Sequence, residues 1–420
     1  MVRIFSLILF LFILLLAGRG MVRNSRAPVV NSSPPANTYT NCSLSPPLST
    51  ADIQQAIDAG GIIKFGPGVY ELNQTIVVRK SNTIIQGSGP GTVFIFKPTL
   101  PQVHCVNDRA FTTPCDVIDT PRRQILSPIG IGDYTFTAAG DLSDLTSGDW
   151  LIIGEKDRNV GGLAVTVDWA QVAAVTGNVV QVRTPFRTAF PNVHAWVSDV
   201  SGLGFYRLPQ VVEGVQFRNF SVIVPDCGEG TPAISVFAAK GTLIDGVIAQ
   251  ADNGQPLYSY LAKELTICNS YGDGSKSQNA NEFGSTVDLT LKNNTFSAGS
   301  AAVALDLGTG FFDISNNYVP LSSNIGMYLL YGIHDGTISG NSISFVDCNS
   351  GNANGISVRG SQRVTIMNNY LAGGAGSGSV GLTIGPSYTP EVPIPSSQNT
   401  ISPNSFGNRW SVNYDPSNIP

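Results

Sequence analysis

The sequence predicts an all-β solenoid, short strands wound into stacked parallel coils. One phrase recurs: "LTLKNNTFSAG" from Leu289, "FDISNNYVPL" from Phe312, "GTISGNSISF" from Gly336 and "VTIMNNYLAGG" from Val364. The apolar residue before each turn falls at Leu243, Ile267, Leu291, Ile314, Ile338, Ile366 and Ile401, with gaps of 24, 24, 23, 24, 28 and 35 residues. A period of roughly 20 to 30 residues without helical patterning marks a repeat architecture. Composition agrees. The chain has 45 Gly, 13% charged residues and abundant Val, Ile, Phe and Thr, which favour strands and turns.

Each coil has room for three short strands, shown in order by Ile356 to Arg359, Val364 to Met367 and Tyr370 to Ala372. Alternate residues face inward, so like residues stack on like at about 4.8 Å. Asn294, Asn317, Asn341 and Asn369 then form an inward ladder bonded from coil to coil. A tight turn at Asn or Gly separates the strands. An open solenoid needs its end covered. "LSTADIQQAIDAGG" predicts an N-terminal capping helix, with Thr50 as N-cap, Ile53, Ala56 and Ile57 as the apolar stripe, and Gly60–Gly61 as the stop. Residues 130–192 break the coil pattern. They alternate apolar and polar residues and turn at Gly-Asp and Gly-Asn, which predicts a small inserted antiparallel β subdomain. It is expected to decorate the solenoid rather than overhang it.

The ends read differently. Arg3 precedes an apolar run from Ile4 to Ala17, short for a membrane span and suited to a signal peptide. Residues 1–20 are thus expected to be a signal peptide or an uncleaved anchor, and 21–48 a flexible Pro, Ser and Asn-rich linker. The solenoid is expected over 49–410 and a tail over 411–420. Export is compatible with an even count of six cysteines, of which Cys105 and Cys115 are the expected disulfide pair. A net charge of −5 argues against a nucleic-acid partner.

"DIQQAIDAGGIIKFGPGVYELNQTIVVRKSNTIIQGSGPGTVFIF", from Asp52, followed by coils of the "VTIMNN" kind, resembles the pectate-lyase superfamily. The opening resembles its branch related to glycosyl-hydrolase β-helices, and the resemblance to the superfamily covers roughly residues 50 to 410. The resemblance implies a right-handed, single-stranded parallel β-helix acting on a polysaccharide outside the cell or at its surface. It does not imply a reaction, because this scaffold hosts lyases, hydrolases, epimerases and phage spikes. The signature motifs of polygalacturonases, pectate lyases and alginate epimerases are missing, so no catalytic residue carries over.

The resemblance also implies a site on the outward face of the first strand of each coil. Counting back seven or eight positions from the anchors gives one column: Tyr260, Glu282 or Gly284, Asp306, Tyr331 and Arg359. The following turn adds Lys240, Lys263, His334 and Asp335. Aromatic rings beside acids suit a sugar groove, since ring faces pack on pyranose C–H surfaces and acids bond hydroxyls. Two reactions fit. In β-elimination, Tyr331 or Arg359 is the base and Lys263 or His334 meets the uronate carboxylate. In hydrolysis, carboxyls from Glu282, Asp306 or Asp335 flank the glycosidic bond. Asp273 and Glu282 offer oxygens for Ca²⁺, although their spacing matches no specific loop. The rival expectation is a non-catalytic glycan-binding or structural surface protein, because an isolated outward Asp or Arg is ordinarily a solvated strand residue.

Overall fold

A computed structural model describes residues 43–97, 109–114, 119–158, 163–197, 201–208, 210–225, 231–274, 279–322, 324–344, 354–372, 380–387, 394–406 and 411–414. Residues 1–20, expected to be a signal peptide or anchor, most of the 21–48 stretch, and both Cys105 and Cys115 lie outside the described residues.

Three strands recur in each coil. The first face runs through Leu257–Tyr260, Asn279–Gly284, Ala301–Asp306 and the start of Ile325–Ser339. The second runs through Thr266–Cys268, Thr290–Lys292 and Gly310–Ser315, and the third through Tyr271–Gly274, Thr295–Ala298 and Tyr318–Ser322. Pairing within each stack is parallel. The first two faces join in a 19-stranded sheet, and the third is a separate 10-stranded sheet. The chain is therefore a parallel β-helix. Its core is continuous, with Ile267, Leu291, Ile314, Ile338 and Ile366 at most 1% exposed. The repeat begins one residue later than the spacing predicts, because Ile244, not Leu243, pairs with Ile267 and is buried.

The paired asparagines divide the labour. Asn269, Asn293, Asn316 and Asn368 take φ of 51–56°, the left-handed turn conformation that Asn tolerates. The next residue turns inward. Asn294 Nδ2 donates to the Ile267 carbonyl at 2.8 Å, and Asn294 N donates to Asn317 Oδ1 at 2.9 Å. The same bonds continue through Asn341 and Asn369 to Asn404. Every buried amide in this ladder thus has partners, which removes the penalty of burying it.

Helix α1 (Thr50–Ala59) covers the first coil. Ser49, not Thr50, is its N-cap, in a reciprocal capping box with Asp52. Thr50 instead ties the helix to the coil, accepting from Asn73 N at 2.9 Å. Ile53 and Ile57 are fully buried on the core. At the other end, Ser411–Tyr414 pairs with Val380–Gly385, so the solenoid continues into the stretch expected to be a tail. Among the described residues no helix is long and apolar enough to cross a membrane.

The insertion is larger than expected. Its antiparallel sheet has six strands and includes Asp119–Gln124 and Gly202–Leu208, outside the 130–192 window. The first of these is spelled DTPRRQ, with a proline and no alternation to reveal it. Phe136, Leu151, Ile153, Val172, Val180, Phe186, Phe190 and Phe205 give the subdomain its own core. It also docks. Ile152, Val167, Trp169 and Leu208 pack on Ala238, Leu261 and Val287, which lie just past the first-face strands. At Gly308 and Gly332, with φ of 75° and 79°, an added Cβ would lie 2.8 Å from Thr166 Cα and 1.8 Å from the Val165 carbonyl oxygen. The insertion strand Leu163–Thr176 thus lies directly on these turns and overhangs the first face instead of decorating a distant one.

A carboxyl pair under the inserted subdomain

The register of the first face fixes which side chains share a column. Phe237, Tyr260, Gly284, Asp306, Leu330 and Arg359 form one outward column. Tyr258, Glu282, Ala304 and Tyr328 form the next, two residues back. Tyr331 belongs to neither. It follows the strand with φ of 62°, in the left-handed position that Ala238, Leu261, Ser285 and Leu307 occupy in the preceding coils. Counting from the anchors missed this by one residue, because the turn varies in length.

Glu282 and Asp306 come from adjacent coils, near enough for the charge of Glu282 to act on the Asp306 carboxyl. Gly284 makes the space: a Cβ there would lie 2.8 Å from Asp306 Oδ1 and 3.3 Å from the Tyr260 ring. Asp306 thus leans over the strand that carries Glu282. Its Oδ1 is buried with no hydrogen-bond partner. Glu282 is 8% exposed, and its Oε2 accepts from Gln255 Nε2. Burial lifts the Glu282 carboxyl to about 7, partly offset by the Gln255 bond. Burial, and then the charge of Glu282, push Asp306 well above the ordinary carboxylate range. Two carboxyls held close out of water cannot both ionise cheaply. The pair therefore holds a proton up to near neutrality.

Rings surround the pair. Burial and the nearby acids raise the Tyr258 hydroxyl well above its usual range, and burial with Tyr206 and Asp306 does the same for Tyr260. Both stay neutral donors and do not serve as bases. Tyr260 meets Phe237 at 5.7 Å between ring centres. Tyr206 comes from the insertion and accepts from Lys156 Nζ at 2.9 Å. Gln255, Tyr258 and Tyr206 were absent from the sequence candidates, and Gly284 stood there only as an alternative to Glu282. Tyr258 alone carried a signal, sharing its strand parity with Tyr260 in "PLYSY".

The other candidates sit elsewhere. Lys263 Nζ donates to Asp288 Oδ2 at 2.8 Å, and Arg187 of the insertion grips both Asp288 oxygens at 2.8 Å. His334 is 5% exposed, with Nδ1 2.9 Å from Asp335. Arg363 holds Asp335 through two bonds of 2.6 Å. Against burial, these partners keep Asp335 far below the usual carboxylate range. Lys240 lies between Glu213 and Glu264. Arg359 shares the Asp306 column but stands two coils on, with Nη1 over Gly385. Asp273 and Glu282 lie on strands of different sheets, so they do not form one Ca²⁺ site. Among the described residues no group of three or more His, Cys, Asp or Glu side chains is placed to hold a metal ion.

Comparison with solved structures places the architecture. The tailspike gp61 of Pseudomonas phage phi297 matches with a TM-score of 0.52 at 14% identity, over 88% of this chain and 60% of that one. The fold is that of a pectate-lyase-like parallel β-helix. The tailspike gp49 of Pseudomonas phage LKA1 matches with a TM-score of 0.48 at 16% identity, over 87% and 71% of the two chains. DFA-IIIase from Arthrobacter chlorophenolicus A6, without its lid, matches with a TM-score of 0.42 at 12% identity, over 86% and 82%. At these identities the likeness speaks for fold alone. The family model described as periplasmic copper-binding protein (NosD) matches residues 234–419, less than half of the chain. Among the described residues of that stretch no group of three or more His, Cys, Asp or Glu side chains is placed to hold a metal ion; its one histidine, His334, bonds Asp335 through Nδ1 and leaves Nε2 buried without a partner. No curated protein matches the sequence.

Proposed function

We propose that this protein hydrolyses a glycosidic bond in a polysaccharide, with Asp306 as general acid and Glu282 as the ionised carboxylate. The observation that carries the reading is a pair of unlike carboxyls on adjacent coils, with Asp306 leaning over Gly284 on the strand that carries Glu282. Asp306 Oδ1 has no hydrogen-bond partner, and burial and the charge of Glu282 raise its carboxyl; Glu282 is hydrogen-bonded to Gln255 and raised to about 7. Hydrolysis needs this pairing, an acid to protonate the leaving oxygen and a carboxylate to act as base or nucleophile. The neutral faces of Tyr258 and Tyr260 supply surfaces for pyranose rings. Elimination is less well served. It calls for cations at the uronate carboxylate, and Lys263 is engaged with Asp288 while His334 is tied to Asp335 through Nδ1. Work on a polymer outside the cytoplasm accords with the apolar run Ile4 to Ala17.

The test is a panel of neutral and acidic polysaccharides, followed in parallel by reducing ends and by the ultraviolet absorbance of unsaturated uronates. Reducing ends without new absorbance, lost in Asp306→Asn and Glu282→Gln, are expected. New absorbance means elimination and overturns the assigned chemistry. Intact polymers throughout, with tight glycan binding, leave the non-catalytic alternative.

A further inference from the structure

The third face of the solenoid carries a feature that the carboxyl pair does not use. Pairing places Ile248, Tyr271, Thr295, Tyr318, Ser342, Tyr370 and Ser405 in one outward column. From Tyr271 onward, a tyrosine stands on every second coil and Thr or Ser on each coil between. Strands lie about 4.8 Å apart, so the rings recur about every 9.6 Å. Tyr318 and Tyr370 are 45% and 48% exposed.

The small residues between them let the rings lie down. The Tyr318 hydroxyl is 3.1 Å from Ser344 Oγ. Ser344 is on the next coil, two residues past Ser342, which is the partner of Tyr318. The ring therefore crosses diagonally over Ser342. The Tyr271 hydroxyl likewise bonds Ser297, two residues past its partner Thr295, and also donates to Asp273 Oδ2 at 3.3 Å on its own strand. A ring pinned along the sheet turns a face to solvent. The described strands of this face from Ile248 to Phe406 carry no Lys or Arg and one acid, Asp273.

We propose that this tyrosine ladder is a second glycan-binding surface, which takes a linear, uncharged polysaccharide laid along the solenoid axis. Two coils match the length of about two pyranose rings in an extended chain, so each tyrosine meets every second sugar. The absence of cations matches a neutral polymer, because a polyuronate would find no counter-charge here. The inference rests on the ladder alone, so a protein that cleaved nothing would still bind through it.

The test is affinity electrophoresis of the Glu282→Gln protein in gels holding hydroxyethylcellulose, mixed-linkage β-glucan, xylan, galactomannan or polygalacturonate. At least one neutral polymer is expected to retard the protein. Tyr318→Ala with Tyr370→Ala should weaken that retardation about tenfold. Tyr318→Phe, which keeps the ring and loses the Ser344 bond, should retain most of it. Unaltered circular dichroism confirms that the variants are folded. The proposal falls if the double variant is retarded as before, if no neutral polymer retards the protein, or if polygalacturonate alone does. It also falls if sedimentation shows a dimer that the double variant abolishes, since the face would then join two copies of this chain.

Discussion

Glu282 and Asp306 sit one turn away from Lys263, Asp288, His334 and Asp335, and the structure treats the two groups of charges in opposite ways. In the second group each carboxylate meets cations. Asp288 has Arg187 and Lys263, and Asp335 has Arg363. Against burial, both carboxyls are held below their ordinary range. In the first group no cation among the described residues is paired with either acid. Their strongest described polar contact is Gln255, and both are raised by burial. Charges that stabilise a fold are paired, whereas charges kept in an unfavourable state are the ones chemistry uses. Residue types alone did not separate the groups, since each contains acids beside aromatic rings.

The sharpest way to break this contrast is to neutralise the unpaired acids. Asp306→Asn and Glu282→Gln should each lower cleavage about 10³-fold. They should not lower stability. Glu282 holds its proton to about pH 7 in the fold but releases it near 4.5 when unfolded. Folding therefore takes up a proton across that window, and stability falls as pH rises through it. Glu282→Gln removes the fall, so its Tm at pH 8 should exceed the wild-type value by about 1–3 °C. A large drop in Tm would show that the acids are structural. Wild-type kcat/KM should rise as pH increases through about 7, as Glu282 ionises.

Gly284→Ala is the next test, because it alters neither acid. Its Cβ would lie 2.8 Å from Asp306 Oδ1 and displace that carboxyl. A misplacement of this kind costs about 10²-fold in rate. The fold should persist, since no left-handed φ is required there. Full activity would mean that Asp306 need not lean over the Glu282 strand.

Arg187→Ala probes the paired group. It removes the bidentate grip on Asp288 and a guanidinium 3.9 Å from the Phe311 ring centre. Both partners are part-exposed, so the loss should be modest, about 1–2 kcal/mol. Lys263 still answers Asp288, so the solenoid should hold while the insertion loosens. Hydrogen exchange should quicken in residues 163–176 and leave the asparagine ladder unchanged. Equal quickening in both would dissolve the distinction between a docked subdomain and an independent solenoid.

The legible parts of this protein are those set by periodicity. The repeat, the capping helix and the inward asparagines follow from a period of two along a strand and one coil between strands. The column of outward residues was legible to within one position. It failed at Tyr331, where an extra turn residue shifts the parity. The docking of the insertion was not legible, because it depends on contacts such as Arg187 with Asp288, 101 residues apart. Gly284 was read as an alternative to Glu282, whereas the two share one strand and Gly284 leaves the space that Asp306 enters.

The smallest expected effect belongs to a cluster inside the insertion, and it tests whether a buried charge there is structural. His194 lies between Glu155 Oε1 at 3.0 Å and Asp157 Oδ2 at 2.9 Å, with all three residues at most 7% exposed. Glu155 also accepts from the backbone N–H groups of Asn192, Val193 and His194. The Glu155 bond raises the His194 imidazole above its ordinary 6.5 despite burial. Against burial, the His194 bonds hold Glu155 below 4.5. The imidazolium thus contributes stability that is complete below 6.5 and is lost as pH rises through the elevated folded value. Glu155 contributes stability that is present above 4.5 and lost as pH falls through its depressed folded value. The insertion should be firmest between about pH 4.5 and 6.5. His194→Gln should accelerate exchange at residues 192–194 at pH 6, and the difference should shrink as pH rises through the elevated folded value and the wild-type histidine loses its charge. A difference that grows with pH would reverse the sign and show that His194 is held neutral.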